Sequence, residues 1–382
     1  MKKPTLENAL AFAADLIRIP SLPGEEEALG RRVVEEMEAL GFDRIRVDAL
    51  GSVIGVIPGR GEAPPVMVNA HLDMVAAGDP AEWEYPPFEG VVADGCLHGR
   101  GAMDIKGPLG LQTYAAAALR GQAAGDIIVA HTVFEERGGW GMAHLLESKE
   151  VAPAAVIIGE ATHGDIALGH RGRAEVEVVL QGVAGHASAP GRASNALDLL
   201  PGALEGIHAL SLRQEEDETL GAATLVATAV DVLPESRNVI PDRVTVTIDW
   251  RVLPGDREET LLPRVEDALA RAFAARPEGI PEGASWQVRM GRAVQRSYTG
   301  ESAERKLLTP GFLMSPDHPV TRAAALAVGR RDGPGPALTR PWGFATDGGW
   351  SCGVQGIPTV GFAPGEERFA HTNRERLDIE EA

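Results

Sequence analysis

Three short apolar runs constrain this chain most, because each of them ends on a carboxylate or an imidazole. Val66–Ala70 runs into His71-Leu72-Asp73, Ile127–Phe134 into Glu135-Glu136, and Ala155–Ile158 into Gly159-Glu160. Apolar runs of this length fit strands buried on both faces of a sheet. Open α/β sheets bind their ligands beyond the carboxyl ends of such strands. The pattern predicts an α/β fold that gathers polar, metal-ligand types of side chain along one edge of its sheet.

A further carboxylate, Asp104, lies in the glycine-rich turn Gly99-Arg100-Gly101-Ala102-Met103-Asp104-Ile105-Lys106-Gly107. Glycines let backbone crowd close to whatever that acid touches. Taken alone, the turn reads equally well as a loop whose acid caps the helix predicted over Pro108–Arg120. Helices are also predicted over Thr5–Ile19, over Glu25–Leu40 with Gly41 closing it, and over Met142–Ser148. Val47–Pro58 reads as one strand and Val91–His98 as a hairpin.

The texture changes after Gly169-His170-Arg171-Gly172. Long alternating strands follow at Ala174–Gln181, Thr224–Val232 and Arg243–Val252, with helices at Asn195–Leu210 and Glu258–Ala275 and a last strand at Trp286–Met290. That order is an antiparallel α+β pattern, distinct from what precedes it. The chain is therefore expected to divide into residues 1–170, the first part of a sheet-bearing domain; 171–291, an inserted domain; and 292–382, the second part of the sheet-bearing domain. In the last part Ser315–Val328 reads as a helix, the Gly/Pro-rich Arg331–Pro336 as a loop, and Pro358–Ala363 as a strand leading to His371.

Composition excludes several classes. Over 382 residues, 36 basic against 55 acidic side chains leave a net charge of −19, which argues against nucleic acid or an anionic membrane as partner. Pro4-Thr5-Leu6-Glu7-Asn8 follows Met1-Lys2-Lys3 where a signal peptide needs an apolar core, so a cytoplasmic protein is expected. Cys96 and Cys352 are too few for a disulfide scaffold and read as reduced, partly buried thiols.

His71, Asp104, Glu136, Glu160 and His371 form the ligand mixture that suits zinc or a similar divalent ion. Five ligands exceed the need of one tetrahedral ion that also binds water. Two ions about 3.5–4 Å apart, sharing one carboxylate, would use them all. Asp73 lies two residues from His71 and, in an extended segment, points the same way, where it can fix the imidazole tautomer. Glu135 and Glu136 are neighbours at a strand end and should point apart, one toward metal and the other free to take a proton from water. Adjacent glutamates at a strand end are otherwise usually solvated loop. His98 is close enough to Asp104 in sequence to support it.

In their order along the chain, His71-Leu72-Asp73, Gly99-Arg100-Gly101 with Asp104 and Lys106-Gly107, Glu135-Glu136, Gly159-Glu160, Gly185-His186-Ala187-Ser188 and Ala370-His371 resemble the M20 metallopeptidase family. That family includes acetylornithine deacetylase, succinyl-diaminopimelate desuccinylase, aminoacylase and glutamate carboxypeptidase. The resemblance implies a mixed-sheet, zinc-exopeptidase-like α/β catalytic domain with an inserted α+β domain acting as lid and dimer surface. It implies two zinc ions per chain, with Co2+ or Mn2+ as substitutes. Asp104 would bridge them, His71 and Glu160 completing one site and Glu136 and His371 the other. It further implies Glu135 as general base, a cis peptide after Asp104, His186 as oxyanion support, Asn238 as a substrate-binding residue and Arg251 as the holder of the substrate carboxylate. Asp347 in Thr346-Asp347-Gly348-Gly349 is expected to be a loop residue near the substrate. The family's Asn-Glu after the last histidine is replaced here by Thr372-Asn373-Arg374-Glu375, which alters the surroundings of His371.

The residues and the resemblance together point to a hydrolase of amide bonds adjacent to a carboxylate, foremost an N-acyl-amino-acid deacylase working as a homodimer. A dipeptidase or carboxypeptidase is the alternative within that chemistry, acting on a short peptide. From another class, a catalytically silent dimeric binding protein would have kept the fold; the loss of a ligand or base that usually marks such a protein is not seen.

Overall fold

The computed structural model describes every residue except Glu278 and Asp332, the latter within the segment 331–336 read above as a loop. The chain divides into two compact units, Met1–His170 with Val294–Ala303 and Phe312–Ala382, and Arg171–Ala293 with Glu304–Gly311.

The first unit is built on an 8-stranded mixed sheet in the order Asp43–Val47, Val53–Ile57, Ile127–Thr132, Val66–His71, Ala155–Ile158, Thr359–Gly361, Ile166–Ala167, Thr339–Arg340. The strands from Ile127–Thr132 to Thr359–Gly361 run parallel, so the ends at His71, Thr132 and Ile158 lie along one edge. Their side chains alternate between two cores. Val53, Ile57 and Val129 pack with Phe12, Leu29, Val33 and Leu109 from helices Leu6–Ile17, Glu27–Leu40 and Lys106–Ala118. Ile54, Val56, Ile128 and Ala130 pack with Met142, Leu145 and Ala325 from helices Trp140–Glu147 and Pro319–Val328. Burial on both faces explains why the strands read as unbroken apolar runs, each large aliphatic chain contributing about 1.5–3 kcal/mol.

Val47–Pro58 is not one strand. The chain turns back within it, pairing Asp43–Val47 antiparallel with Val53–Ile57. Asp48 Oδ1 accepts from the backbone N–H groups of Leu50, Gly51 and Ser52 at 2.9, 2.8 and 2.9 Å. Gly51 sits at φ 106 with the Tyr298 ring where a Cβ would be. The side-chain turn overrides the apolar pattern.

The second unit carries an antiparallel sheet in the order Thr224–Leu233, Arg243–Val252, Gly172–Gln181, Ser285–Met290. Val176, Val244, Val246, Ile248 and Trp250 alternate with polar residues and, together with Val178, face helices Leu200–Ser211 and Glu258–Ala275. A sheet covered on one face keeps the period of two that the sequence shows. The helix expected from Asn195 begins as a 3-10 turn at Ala196–Leu199, and the α-helix starts at Leu200 with a proline in its first turn. Among the described residues, no helix is long and apolar enough to cross a membrane. Both cysteines are free and partly buried.

Candidate metal centre

Each of the ligand-type residues is delivered by a different device. His71 ends a parallel strand, Glu160 lies two residues beyond the strand Ala155–Ile158, and Glu136 sits in the 3-10 turn Glu135–Arg137 after Ile127–Thr132. Asp104 precedes helix Lys106–Ala118 and is joined to Ile105 by a cis peptide bond. His371 follows the short turn Glu367–Phe369.

These side chains form two clusters, His71 with Asp104 and Glu160, and Asp104 with Glu136 and His371. His71 Nε2 lies 3.2 Å from Asp104 Oδ1 and 3.3 Å from Glu160 Oε1. His371 Nε2 lies 3.1 Å from both Asp104 Oδ2 and Glu136 Oε1. Asp104 thus gives one oxygen to each cluster. The first cluster is buried, whereas the His371 side chain is 53% exposed.

The electrostatics test whether divalent ions fit. Burial disfavours charge on His71, yet hydrogen bonds to Asp104 and Glu160 raise its pKa well above the ordinary imidazole value. His371 is raised to about 10 by its bonds to Asp104 and Glu136. Burial also opposes charge on Asp104, but the bonds from His371 and His71 hold its carboxyl below the usual range. Glu160 is pushed up to about 7, first by burial and then by Asp104. Three carboxylates packed within ligand distance of two imidazoles concentrate negative charge that calls for a cation, the task divalent ions perform in such a cavity. The donor set, two imidazoles and three carboxylates with one shared, fits two zinc-type ions.

Around the clusters the backbone is anchored by further buried groups. Asp73 stands beside His71 as expected: His71 Nδ1 is 2.9 Å from the Asp73 carbonyl oxygen and 3.5 Å from its carboxylate. The same carboxylate also accepts from the N–H groups of Glu135 and Glu136, at 3.0 Å each. The tautomer of His71 is therefore set by a carbonyl, while Asp73 holds the turn carrying the two glutamates. Glu135 and Glu136 lie on a 3-10 turn entered through Phe134 at φ 59, beyond the strand Ile127–Thr132 rather than in it. The Glu135 carboxyl is pushed well above the usual range by burial; His71 opposes this, and Glu160, Asp347 and Glu136 add to it.

Asp347 lies in a turn, as a loop residue should, and is buried there, accepting from Thr132 Oγ1 at 2.7 Å while Asn69 Nδ2 donates to the same threonine at 3.0 Å. His98 stays apart, bonded to the Ala93 carbonyl and packed on Tyr85. Glu375, which the reading of the motifs left without a role, is buried, and its carboxylate accepts from Arg100 Nη1 at 2.5 Å and from the N–H groups of Met103 and Asp104 at 3.1 Å each. The changed sequence after His371 thus still supplies a clamp for the Asp104 loop. The signal for it was the arginine within Gly99-Arg100-Gly101.

In the second unit, Gly185–His186 pairs antiparallel with Val239–Ile240, and Ala187 N donates to the Asn238 carbonyl at 3.1 Å. His186 and Asn238 are therefore neighbours, both exposed, with Ser188 Oγ 2.8 Å from His186 Nδ1. Arg251 stands on the main sheet, its Nε donating to Asp249 Oδ1 at 2.9 Å.

Residues 67–382 match the model of peptidase family M20/M25/M40. The chain is 32% identical over 370 residues to the uncharacterized protein YgeY of Escherichia coli strain K12, covering 96% of this chain and 88% of that one. It is 31% identical over 311 residues to succinyl-diaminopimelate desuccinylase of Paracoccus denitrificans, covering 76% of each. The crystal structure of aminopeptidase PepT from Bacillus cereus superposes with a TM-score of 0.71 at 19% identity, covering 99% of this chain and 95% of that one, a likeness of fold. A family match of that length, carried by a shared aspartate between two ligand clusters, means that the chain belongs to peptidase family M20/M25/M40 and is a zinc-dependent metallohydrolase.

Proposed function

We propose that the chain hydrolyses an amide bond adjacent to a carboxylate, as an N-acyl-amino-acid deacylase of the desuccinylase and acetylornithine deacetylase kind. The observation that carries this reading is Asp104 presenting one oxygen to each of two clusters, with the partly buried Glu135 next in the chain to the ligand Glu136. His71, Asp104 and Glu160 would hold one ion, and Asp104, Glu136 and His371 the other. Two divalent ions bound there would polarise a carbonyl and lower the pKa of water. Glu135 takes the proton from the attacking water and returns it to the leaving nitrogen. Asp73 holds the turn that carries Glu135 and Glu136 through their N–H groups.

In this reading His186 donates to the developing oxyanion, Asn238 orients the substrate and Arg251 holds its carboxylate. The inserted unit serves as lid and dimer surface. Its edge strand Thr224–Leu233 supports the latter role, exposing Val226, Val230 and Leu233. Two free thiols suit a cytoplasmic setting. The desuccinylase relative favours an acyl substrate over a dipeptide. The test is a panel of N-acetyl and N-succinyl amino acids against dipeptides, offered to the purified zinc-loaded protein. Turnover of the acyl amino acids at least about 10-fold above the dipeptides in kcat/KM supports deacylation. The reverse order makes the chain a peptidase, and no turnover with both ions bound returns it to a binding protein.

A further inference from the structure

We infer that Lys106 is a positioning residue for the first cluster, its side-chain nitrogen tying the loop that carries Asp104 to the segment that holds the turn after His71. This requires only that His71, Asp104 and Glu160 share an ion, whichever bond the centre cleaves. In that cluster His71 Nε2 and Asp104 Oδ1 stand 3.2 Å apart although 33 positions separate them in the chain. Something must hold the two carriers in register, and Lys106 is bonded to do so.

Lys106 is 0% exposed and is the first residue of helix Lys106–Ala118. Neither the helix nor the core accounts for a lysine there, since a cation in the first turn meets the positive end of the helix dipole and an ammonium is costly to remove from water. Its Nζ donates to the Ile19 carbonyl at 2.6 Å and lies 3.5 Å from Met74 Sδ. Its backbone N–H donates to the Gly101 carbonyl at 2.7 Å, and a Cβ at Gly101 would come within 2.9 Å of Lys106 Cδ and 3.0 Å of Cγ. The stem is thus packed against the Asp104 loop while the tip is bonded outside it.

The segment that receives the tip is bonded in turn to the stretch after His71. Two residues past Ile19, the buried Ser21 uses both side chain and backbone: Oγ donates to the Leu72 carbonyl at 2.7 Å, and the Ser21 carbonyl accepts from Met74 N at 3.0 Å. Pro20 fixes a torsion of the link between them. Leu72 and Met74 flank Asp73, whose carbonyl accepts from His71 Nδ1 at 2.9 Å and so orients the imidazole. Lys106 therefore joins two of the three ligands of the first cluster, whereas the second cluster shares only Asp104 with this path.

The experiment replaces Lys106 by Met, which keeps the length of the stem and removes the donor. Zinc is titrated against a chelating dye in two backgrounds: His371→Ala, which leaves His71, Asp104 and Glu160 to bind an ion, and Glu160→Ala, which leaves Asp104, Glu136 and His371. Lys106→Met should weaken zinc by at least about 5-fold in the first background and by less than about 3-fold in the second. Urea unfolding of the metal-free Lys106→Met chain should give a midpoint at or above the native one, because an apolar group replaces a buried ammonium. Adding Ser21→Ala should cost less zinc affinity in the Lys106→Met chain than in the native one, since both changes break one link. A smaller loss at the first site, a loss as large at the second, a lowered midpoint, or full additivity with Ser21→Ala would overturn the inference. If Lys106→Met does not fold, Lys106→Gln, whose amide falls one atom short of Ile19, decides by the same two titrations. No substrate enters these measurements, so failure of the native protein to cleave an acyl amino acid would count against the proposed function alone.

Discussion

Replacing Glu375 by Gln should unfasten the loop that carries Asp104. The native carboxylate meets Arg100 Nη1 at 2.5 Å and the N–H groups of Met103 and Asp104 at 3.1 Å each, with both side chains almost wholly buried. An amide keeps one acceptor oxygen but removes the charge opposite a guanidinium whose remaining contacts are weak. Those contacts are the Ala76 carbonyl at 3.4 Å and the Trp83 ring at 5.1 Å, and Arg100 Nε is buried without a partner. Stranding one member of a buried pair costs about 3–5 kcal/mol. Relief of the carboxylate's own burial, which pushes Glu375 up to about 7, places the expected loss at the low end. A loss of about 3 kcal/mol is on the order of 100-fold in the ratio of folded to unfolded chain. Urea unfolding of the metal-free protein measures the stability, and titration with zinc against a chelating dye measures the affinity for both ions. Replacing Arg100 and Glu375 together by Met should recover most of the stability but not the metal affinity, because the N–H groups of Met103 and Asp104 still lose their acceptor. A Glu375→Gln protein within about 0.5 kcal/mol of native stability, the range of ordinary surface changes, and with native affinity for both ions would refute the reasoning.

Asp104→Ala should abolish binding of both ions, read as metal per chain by atomic emission; retention of one tightly bound ion would show that Asp104 does not bridge. Glu135→Gln should keep both ions and lose roughly 100-fold or more in kcat, while Glu136→Gln should weaken the ion shared with His371; exchanged phenotypes would exchange the roles. His131 is buried, and burial first pulls its imidazole down from 6.5 to about 3, with the Ala70 backbone weakly opposing this. The unfolded chain therefore takes up a proton between those values that the folded chain refuses, and stability falls as pH drops through 6.5, by about 2 kcal/mol at pH 5. His131→Gln should flatten that dependence in urea unfolding at pH 5 and 7, and parallel curves for variant and native protein would reject the account. If His186 acts across a dimer, mixing His186→Ala with Glu135→Gln chains should restore activity, and verified hybrids without activity would exclude it.

The strands and the residues at their ends were legible in the sequence. A strand buried on both faces is an unbroken apolar run, and the residue that breaks it marks the sheet edge where polar groups collect. The alternating strands of the inserted unit were legible for the complementary reason, since one covered face imposes a period of two. Periodicity misled where a side chain bonds the backbone locally. Asp48 turns the apolar stretch Val47–Pro58 back on itself, and the chain leaves the strand at Phe134 so that Glu135 and Glu136 lie on a 3-10 turn.

What the sequence by itself determined is therefore the inventory of ligand types and the sheet edge that presents them. The tertiary structure alone decided which oxygen faces which partner. Glu375 reaches Arg100 across 275 positions, Asp347 reaches Thr132 across 215, and Asp73 bonds the N–H groups of Glu135 and Glu136 through its carboxylate while its carbonyl lies 2.9 Å from His71 Nδ1. Local pattern records the face on which a side chain stands. The pairing of buried charges and backbone donors depends on distant loops converging in a low-dielectric interior, where an unmet donor or acceptor is expensive, and no short-range signal carries that information.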